Sequence, residues 1–450
     1  MLLDLNNTKI QITCQQYICT DFRFENDNNT LWLDFYSQQN TKDVCCLYCG
    51  HGSVEVHDNY TTKLTDMPIW SGTKQFLTVK YHKYKCCKCS RVFNEDIGFK
   101  DPDARVTTRA ATWAKDLLKH GICISSVSRL TGISWAALNN IHTRVMEDTL
   151  ENRKQYLRAI GYKPSYLAVD EFAIHKGHTY ATCVMDLESG EVLWVGNGRG
   201  LEDFRKFFEQ IDTDYLSNVK AFAMDMNASY NKLVEEYMPD TKIVYDRYHM
   251  QAQFGKDVLG SVRLEEARRH KDKAETIRSA ITADTDPVSK KELKIQAREE
   301  SRKYSKIKSA RWTILANSTR LSEHKRESLD KILNEHNDLA ICYAMKEEMC
   351  DLFNITDPDI ARVRWKEWFQ AAKESHIPQL IKFAELKEKR IEGLISHATY
   401  PISTGKLEGL NNKIKVAKRV GYGYRDDNYF FTLVRYISLP ANFMVIPQKM

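Results

Sequence analysis

Leu167-Ala-Val-Asp170-Glu171 and Ala221-Phe-Ala-Met-Asp225 decide the fold of this chain. Each is a short apolar run closed by a carboxylate, which is how a buried strand reads when its last residue emerges at a sheet end. Around them, 166–169, 180–185 and 192–195 read as strands, with Glu188-Ser-Gly190 as a turn between the second and third. An amphipathic helix is expected over 201–211, an apolar strand over 219–224, a helix over 228–237 ending near Pro239, and a strand over 242–245. Three meandering strands followed by helix, strand, helix and strand predict a mixed α/β sheet. Two carboxylates held together at neighbouring strand ends repel, and a divalent cation removes that repulsion; Mg²⁺ takes oxygen ligands and keeps sites for phosphate and water. Either acid alone reads more commonly as a strand-terminal Asp capping a turn.

A third acid comes from far along the chain. In Thr404-Gly-Lys-Leu-Glu408-Gly-Leu-Asn-Asn-Lys-Ile-Lys-Val-Ala-Lys-Arg419, the residues Leu407, Leu410, Ile414 and Ala417 form one helical stripe. Glu408, Asn412, Lys415 and Arg419 form another, and Lys418 adds to the basic side. A carboxylate sharing a helix face with an amide and two cations suits a metal site beside a polyanion. Without the other two acids it reads as a solvated surface helix. Between this helix and the sheet, 250–395 is dense in Lys, Arg, Glu and Ala with helical periodicity, so a long helical segment is expected there.

The first hundred residues have a different texture. Short strands are expected at 30–36 and 75–84, where β-branched and aromatic residues partly alternate. Cys46-Leu-Tyr-Cys49 and Cys86-Cys-Lys-Cys89 are two C-x2-C units, the spacing that supplies four thiolates to a tetrahedral Zn²⁺. Adjacent Cys45 and Cys87 blur the register, but only Cys46, Cys49, Cys86 and Cys89 keep both spacings at two. The ion would be structural, replacing a core that so small a module cannot build; the alternative is four unliganded buried thiols. Lys80, His82, Lys83, Lys85, Lys88 and Arg91 around the second pair suit phosphates or an ordinary solvated face. Cys14, Cys19, Cys123, Cys183, Cys342 and Cys350 have no paired spacing and read as core or surface thiols.

From 104 to 158 the texture is helical, interrupted at Gly121-Ile122. Residues 125–130, the turn Thr131-Gly-Ile-Ser134 and residues 135–145 fit a helix-turn-helix. Its second helix carries Trp135, Asn139, Asn140, His142 and Arg144, side chains able to reach base edges or phosphate. Helix pairs with a Gly turn also occur in helical domains that touch no DNA.

Composition bounds these readings. The chain has 450 residues, a formal net charge of +6, 28% charged and 42% hydrophobic residues, with 19 Gly and 10 Pro. That excludes collagen-like, linker-rich and disordered chains and leaves room for several domains. The charge balance is too small to prove a nucleic-acid partner. The N-terminus lacks a signal-peptide pattern and no window of about 18 residues is continuously apolar, so a soluble intracellular protein without membrane contact is expected.

Taken together these residues resemble the DDE transposases of bacterial insertion sequences, specifically the insertion-sequence L-three family. The resemblance runs from about Cys46 to Arg435. It rests on the cysteine pairs followed by Thr65-Asp-Met-Pro68, on Val169-Asp-Glu171 with Lys176-Gly177 and Tyr180-Ala-Thr182, and on Asp186 and Gly198-Arg199. It continues through Met224-Asp-Met226 with Tyr230, Asp246-Arg-Tyr-His249, and Glu408-Gly-Leu-Asn-Asn412 with Ile414-Lys415 and Lys418-Arg419.

The resemblance implies a multidomain α+β protein. Its parts would be an N-terminal region over 1–100 with a zinc-binding β-rich module at about 42–95, a helix-turn-helix domain over 104–158, and a ribonuclease H-like catalytic domain over 163–440 with its helical insertion at about 250–395. Asp170, Asp225 and Glu408 would be the catalytic acids holding Mg²⁺ or Mn²⁺, with Asp246 and His249 supporting them. Trp135, Asn139, Arg144, Lys415, Lys418 and Arg419 would contact DNA. The implied partners are the terminal inverted repeats, target DNA and a second copy in a homodimer or larger synaptic assembly, in the cytoplasm at the bacterial nucleoid. Two competing readings share these residues: a non-catalytic DNA-binding regulator derived from such an enzyme, and a metal-dependent nuclease without strand transfer. The role of residues 1–40 stays open.

Overall fold

The structure, a computed structural model, describes residues 16–26, 29–70, 72–102, 104–175, 179–282, 285–316 and 321–440. Cys14 and the Lys176-Gly177 pair lie outside the described residues. The chain forms two units, Met1–Ile160 with Lys413–Met450, and Gly161–Asn412.

In the first unit, β1 (Tyr17–Glu25), β2 (Thr30–Ser37), β3 (Val54–Asp66), β4 (Lys74–Cys86) and β5 (Val92–Asn94) form one sheet. Its order is β1-β2-β4-β3, with β5 also on β4. β2 and β4 run parallel with Trp32 opposite Phe76, and the other pairs are antiparallel. The expected strands at 30–36 and 75–84 are present, but β3 and β4 reach 13 residues each rather than being short. β3 eludes a periodicity reading because most of its side chains are exposed and polar. Leu31, Leu33, Phe35, Leu64, Leu77, Val79, Tyr17 and Ile97 make the core on one face.

Asp66, at the end of β3, is fully buried. It accepts hydrogen bonds from Gln75 Nε2 at 2.6 Å and Thr107 Oγ1 at 2.5 Å, and pairs with the guanidinium of Arg109, whose Nε is 2.8 Å away. A buried carboxylate is tolerated only with such partners. Here they tie the sheet to the first turn of α1 (Thr108–Lys119), which Thr107 caps.

α2 (Ile124–Thr131) ends at Gly132, whose φ of +72° is the left-handed cap that glycine adopts without strain. Ser134 then caps α3 (Trp135–Ala159) by accepting from Ala137 N. α3 runs on as one helix well beyond 145.

The second unit is built on β6 (Tyr166–His175), β7 (Thr179–Asp186), β8 (Val192–Asn197), β9 (Ala221–Met224) and β10 (Lys242–Tyr245), in the order β10-β9-β6-β7-β8. β10, β9 and β6 are parallel, and β6, β7 and β8 form the antiparallel meander. α4 (Leu201–Gln210), α5 (Thr213–Leu216) and α6 (Ala228–Tyr237) fill the connections. Phe204 and Phe207 of α4 and Tyr230, Leu233 and Val234 of α6 are buried in the core. The mixed α/β sheet is as expected, but β6 runs on through Asp170 and Glu171 to His175, with Phe172 and Ile174 buried, so Asp170 lies in mid-strand rather than at a strand end; β8 extends to the polar Asn197.

After β10 come α7 (Arg247–Phe254), a π-helical turn at Gly255–Leu259, α8 (Gly260–Ser279), α9 (Pro287–Ser309), α10 (Arg311–Leu315), α11 (Glu323–Glu335) and α12 (Asn337–Leu352). α13 (Pro358–Glu374), α14 (Pro378–Glu388) and α15 (Ile391–Thr399) complete this helical insertion. Pro287, Pro358 and Pro378 each start a helix, where the missing N–H leaves no bond unmade. Trp365, Trp368 and Phe369 of α13 anchor the insertion to the same core as the sheet.

α16 (Gly405–Val420) follows, with Leu407, Leu410 and Ile414 buried as its stripe requires. α17 (Asp427–Ser438), not anticipated from the sequence, belongs to the first unit and packs on α3. There His142 is buried with its Nδ1 2.7 Å from the Tyr429 hydroxyl. That corrects the expectation that His142 faces DNA: it is a core residue, and burial pushes its pKa down to about 4. No helix among the described residues is long and apolar enough to cross a membrane.

Candidate active site and metal centre

Cys46 and Cys86 each close a tight turn of the same design. The Cys46 carbonyl accepts from Gly50 N and the Cys86 carbonyl from Ser90 N, with Gly50 and Ser90 both at positive φ. Each first cysteine also takes backbone N–H groups on sulfur: Tyr48 N on Cys46, and Lys88 N and Cys89 N on Cys86. The turns bring Cys46 Sγ to 3.7 Å from Cys89 Sγ and Cys49 Sγ to 3.6 Å from Cys86 Sγ. All four sulfurs lie within 4.8 Å of one another.

A tetrahedral ion with sulfurs at about 2.3 Å has an edge of about 3.8 Å, so the cluster has the dimensions of a Zn²⁺ site. Cys45 and Cys87 stand outside this group of sulfurs, in keeping with the register that holds both spacings at two. The N–H groups of Cys89 and Lys88 pull the Cys86 thiol down to about 6. The His51 N–H pulls on Cys49, but burial and the three neighbouring sulfurs push that thiol up to about 11. Four thiols this close cannot all ionise without a cation among them. Around them Val54, Tyr84 and Phe93 complete a small buried core, with Val44 packed against it.

In the second unit, Asp170 and Asp225 come together through strand register. Ala168 pairs with Ala223 on parallel neighbours β6 and β9, so Asp170 and Asp225 each lie two residues beyond the same rung. Asp170 is held by Glu171 N at 2.8 Å and by Asn411 Nδ2 of α16 at 3.1 Å. Burial pushes its carboxyl above the ordinary range, opposed by the Glu171 N–H, by His249 and by Asn411. Glu408 is one helical turn before Asn411, on the exposed first turn of α16. The amide that meets Asp170 is Asn411, at i, i+3 from Glu408, and not Asn412 of the expected polar stripe.

Asp225 begins the turn between β9 and α6, with its side chain 56% exposed. His249 Nδ1 of α7 stands 3.8 Å from its Oδ2. Asp246 is almost fully buried. Its Oδ1 caps α7 by accepting from Tyr248 N and His249 N, and its Oδ2 accepts from Thr404 N and Oγ1 at 2.7 and 2.8 Å, just before α16. Asp246 therefore links the helix of His249 to the helix of Glu408, with both oxygens engaged. Lys406 turns back to the Leu187 carbonyl.

Several motif residues converge on the other sheet face. The Tyr230 hydroxyl donates to Glu171 Oε1 at 2.9 Å and lies 3.1 Å from Thr182 Oγ1, and Asn227 Nδ2 reaches Glu171 at 3.4 Å. Arg199 lies over the Tyr180 ring and 3.9 Å from Glu171. Thr182 Oγ1 donates to the carbonyl of Gly198, a residue with φ +90° whose missing Cβ leaves room for Asp203. Glu171 is thus turned away from Asp170 by strand alternation.

Among the described residues only the four cysteines offer three or more ligand atoms within 4.8 Å, so Asp170, Asp225 and Glu408 do not form such a group. Trp135 is exposed, while Asn139 and Arg144 are half-buried on α3. Lys415, Lys418 and Arg419 lie on the part of α16 that belongs to the first unit.

Residues 167–434 match the DDE transposase family of ISL3 type. The chain is 31% identical over 410 residues to the transposase for insertion sequence element IS1001 of Bordetella parapertussis, spanning 91% of this chain and 92% of that protein. It is 23% identical over 313 residues to the transposase for insertion sequence element IS1557 of Mycobacterium tuberculosis, spanning 69% of this chain and 67% of the relative. With a family match over more than half its length and that identity across nine-tenths of both chains, the protein belongs to the ISL3 family of DDE transposases.

Proposed function

We propose that this transposase binds the terminal inverted repeats of its insertion sequence and catalyses metal-dependent cleavage and transfer of DNA strands, using Asp170, Asp225 and Glu408. The observation that carries this reading is that Asp170 and Asp225 each lie two residues beyond the rung pairing Ala168 of β6 with Ala223 of β9, with α16 bonded to Asp170 one turn after Glu408. A mixed sheet with Asp170 on β6 just beyond its parallel pairing with β9, and Asp225 just past the end of β9, supports a ribonuclease H-like domain, and the three-helix region α1–α3 supports a helix-turn-helix module.

Three carboxylates are a hard-oxygen donor set that fits Mg²⁺ or Mn²⁺, and the raised carboxyl of Asp170 is what a bound cation would lower. When bound, such ions activate the attacking hydroxyl or water and stabilise the leaving oxygen at phosphorus. Asn411 orients Asp170, and Asp246 keeps α7 and α16 in register with the strand ends. His249, beside Asp225, can donate to a phosphate oxygen there. The cysteine cluster holds structural Zn²⁺, and together with Trp135, Asn139 and Arg144 on α3 and the basic half of α16 it grips the duplex, as a homodimer or larger synaptic assembly.

The test is cleavage of a labelled terminal-repeat duplex by wild type and Asp225→Asn. Cleavage lost in the variant with duplex binding kept supports the assignment. Retained cleavage removes Asp225 from the site.

A further inference from the structure

Lys387, on α14 of the insertion, is only 6% exposed and has no carboxylate within ion-pair distance among the described residues. Its Nζ donates to Gln253 Oε1 at 2.6 Å and to Met226 Sδ at 3.2 Å. Three residues on, Arg390 at the α14–α15 corner donates through its guanidinium to the Met226 carbonyl. Two cations from one corner of the insertion therefore close on the single residue that follows Asp225.

The turn they hold is otherwise braced by Asn227, whose side chain caps α6 and reaches Glu171. Asp225 lies past the last residue of β9 and before α6, where its own Oδ1 accepts from Met226 N and its carbonyl accepts from Asn227 N. Burying a lysine without a carboxylate partner is costly, so its retention calls for a compensating interaction. The acid that acts most strongly on Lys387 through space is Asp225.

We propose that Lys387 and Arg390 are positioning residues for Asp225: they clamp Met226 and fix the β9–α6 turn, so that the Asp225 carboxylate is presented toward His249 and Asp170. This rests on the assignment of Asp225 to the active site. It gives the α14–α15 corner of the insertion, more than 160 residues away in sequence, a part in the chemistry.

The test uses the full chain and a labelled terminal-repeat duplex, comparing wild type with Asp225→Asn, Lys387→Met, Arg390→Ala and Arg390→Lys. Lys387→Met keeps length and removes the buried charge, so it is compatible with folding. Misplacing a reacting group by about 1 Å costs on the order of 100-fold, so Lys387→Met and Arg390→Ala should slow cleavage roughly 30-fold or more with duplex binding unchanged. Arg390→Lys, which restores one donor, should recover to within about threefold of wild type. Amide exchange should rise in the 224–228 peptide and not across the sheet. If Asp225→Asn is dead while Lys387→Met and Arg390→Ala cleave within threefold of wild type, the positioning role is wrong and the site stands. If lysine fails to rescue and exchange rises throughout the unit, the clamp is merely structural and the proposal falls. If Asp225→Asn still cleaves, the site assignment fails and takes the proposal with it.

Discussion

The Asp246 carboxylate accepts from both the backbone and the hydroxyl of Thr404 while its other oxygen caps α7, so one buried side chain fastens two helices that flank the acids. An N-cap contributes about 1 kcal/mol, and a buried donor left unpaired costs about 1–3 kcal/mol more. Asp246→Ala should therefore lower stability by about 3 kcal/mol and slow cleavage, and Asp246→Asn by less. Thermal unfolding of the two variants checks this; a melting point unchanged in the alanine variant would remove the fastening role.

Asp170 should trade stability for function. Its carboxyl is raised by burial, so folding favours the neutral form. That contribution is full below the unfolded pKa of about 4 and is lost as pH rises through the folded value. The metal-free fold thus disfavours the Asp170 carboxylate form. Asp170→Asn should abolish cleavage yet raise the melting temperature by about 2 °C. A variant that is both inactive and clearly less stable would contradict this account of the site.

His142 gives a pH dependence of the opposite sense. Its pKa is about 4 in the fold against an ordinary 6.5, because burial penalises the cation. Its contribution to stability is therefore full above pH 6.5 and disappears as pH falls to about 4. Amide exchange in α3 and α17 should rise across that window in wild type and much less in His142→Gln, which keeps a neutral partner for Tyr429. Equal acid sensitivity in both proteins would assign the effect elsewhere.

The cysteine cluster should hold one zinc per chain by native mass spectrometry. Cys46→Ser with Cys86→Ser should release it, loosen residues 42–95 to protease and weaken terminal-repeat binding, with the second unit still folded. Full zinc content in the double variant would overturn the ligand assignment.

The sheet of the second unit was legible because β6 and β9 are buried on both faces and read as apolar runs, and the cysteine pairs because their spacing is set by turn geometry. β3 was not, because a sheet strand with exposed polar side chains has no apolar alternation to detect. His142 sits one turn beyond Leu138 on the buried stripe of α3, so its polarity misled where its helical position did not. Asn411, Lys387 and Arg390 act through contacts that local periodicity cannot see, since their partners lie more than 130 residues away.

The central claim is that Glu408 completes the active site with Asp170 and Asp225. The most direct measurement is Mg²⁺-dependent cleavage and joining of a labelled terminal-repeat duplex by wild type and Glu408→Gln. The account predicts cleaved and joined products from wild type and neither from the variant, with both proteins binding the duplex equally. Products from Glu408→Gln at the wild-type rate, or a wild type that binds tightly and never cuts, would contradict it.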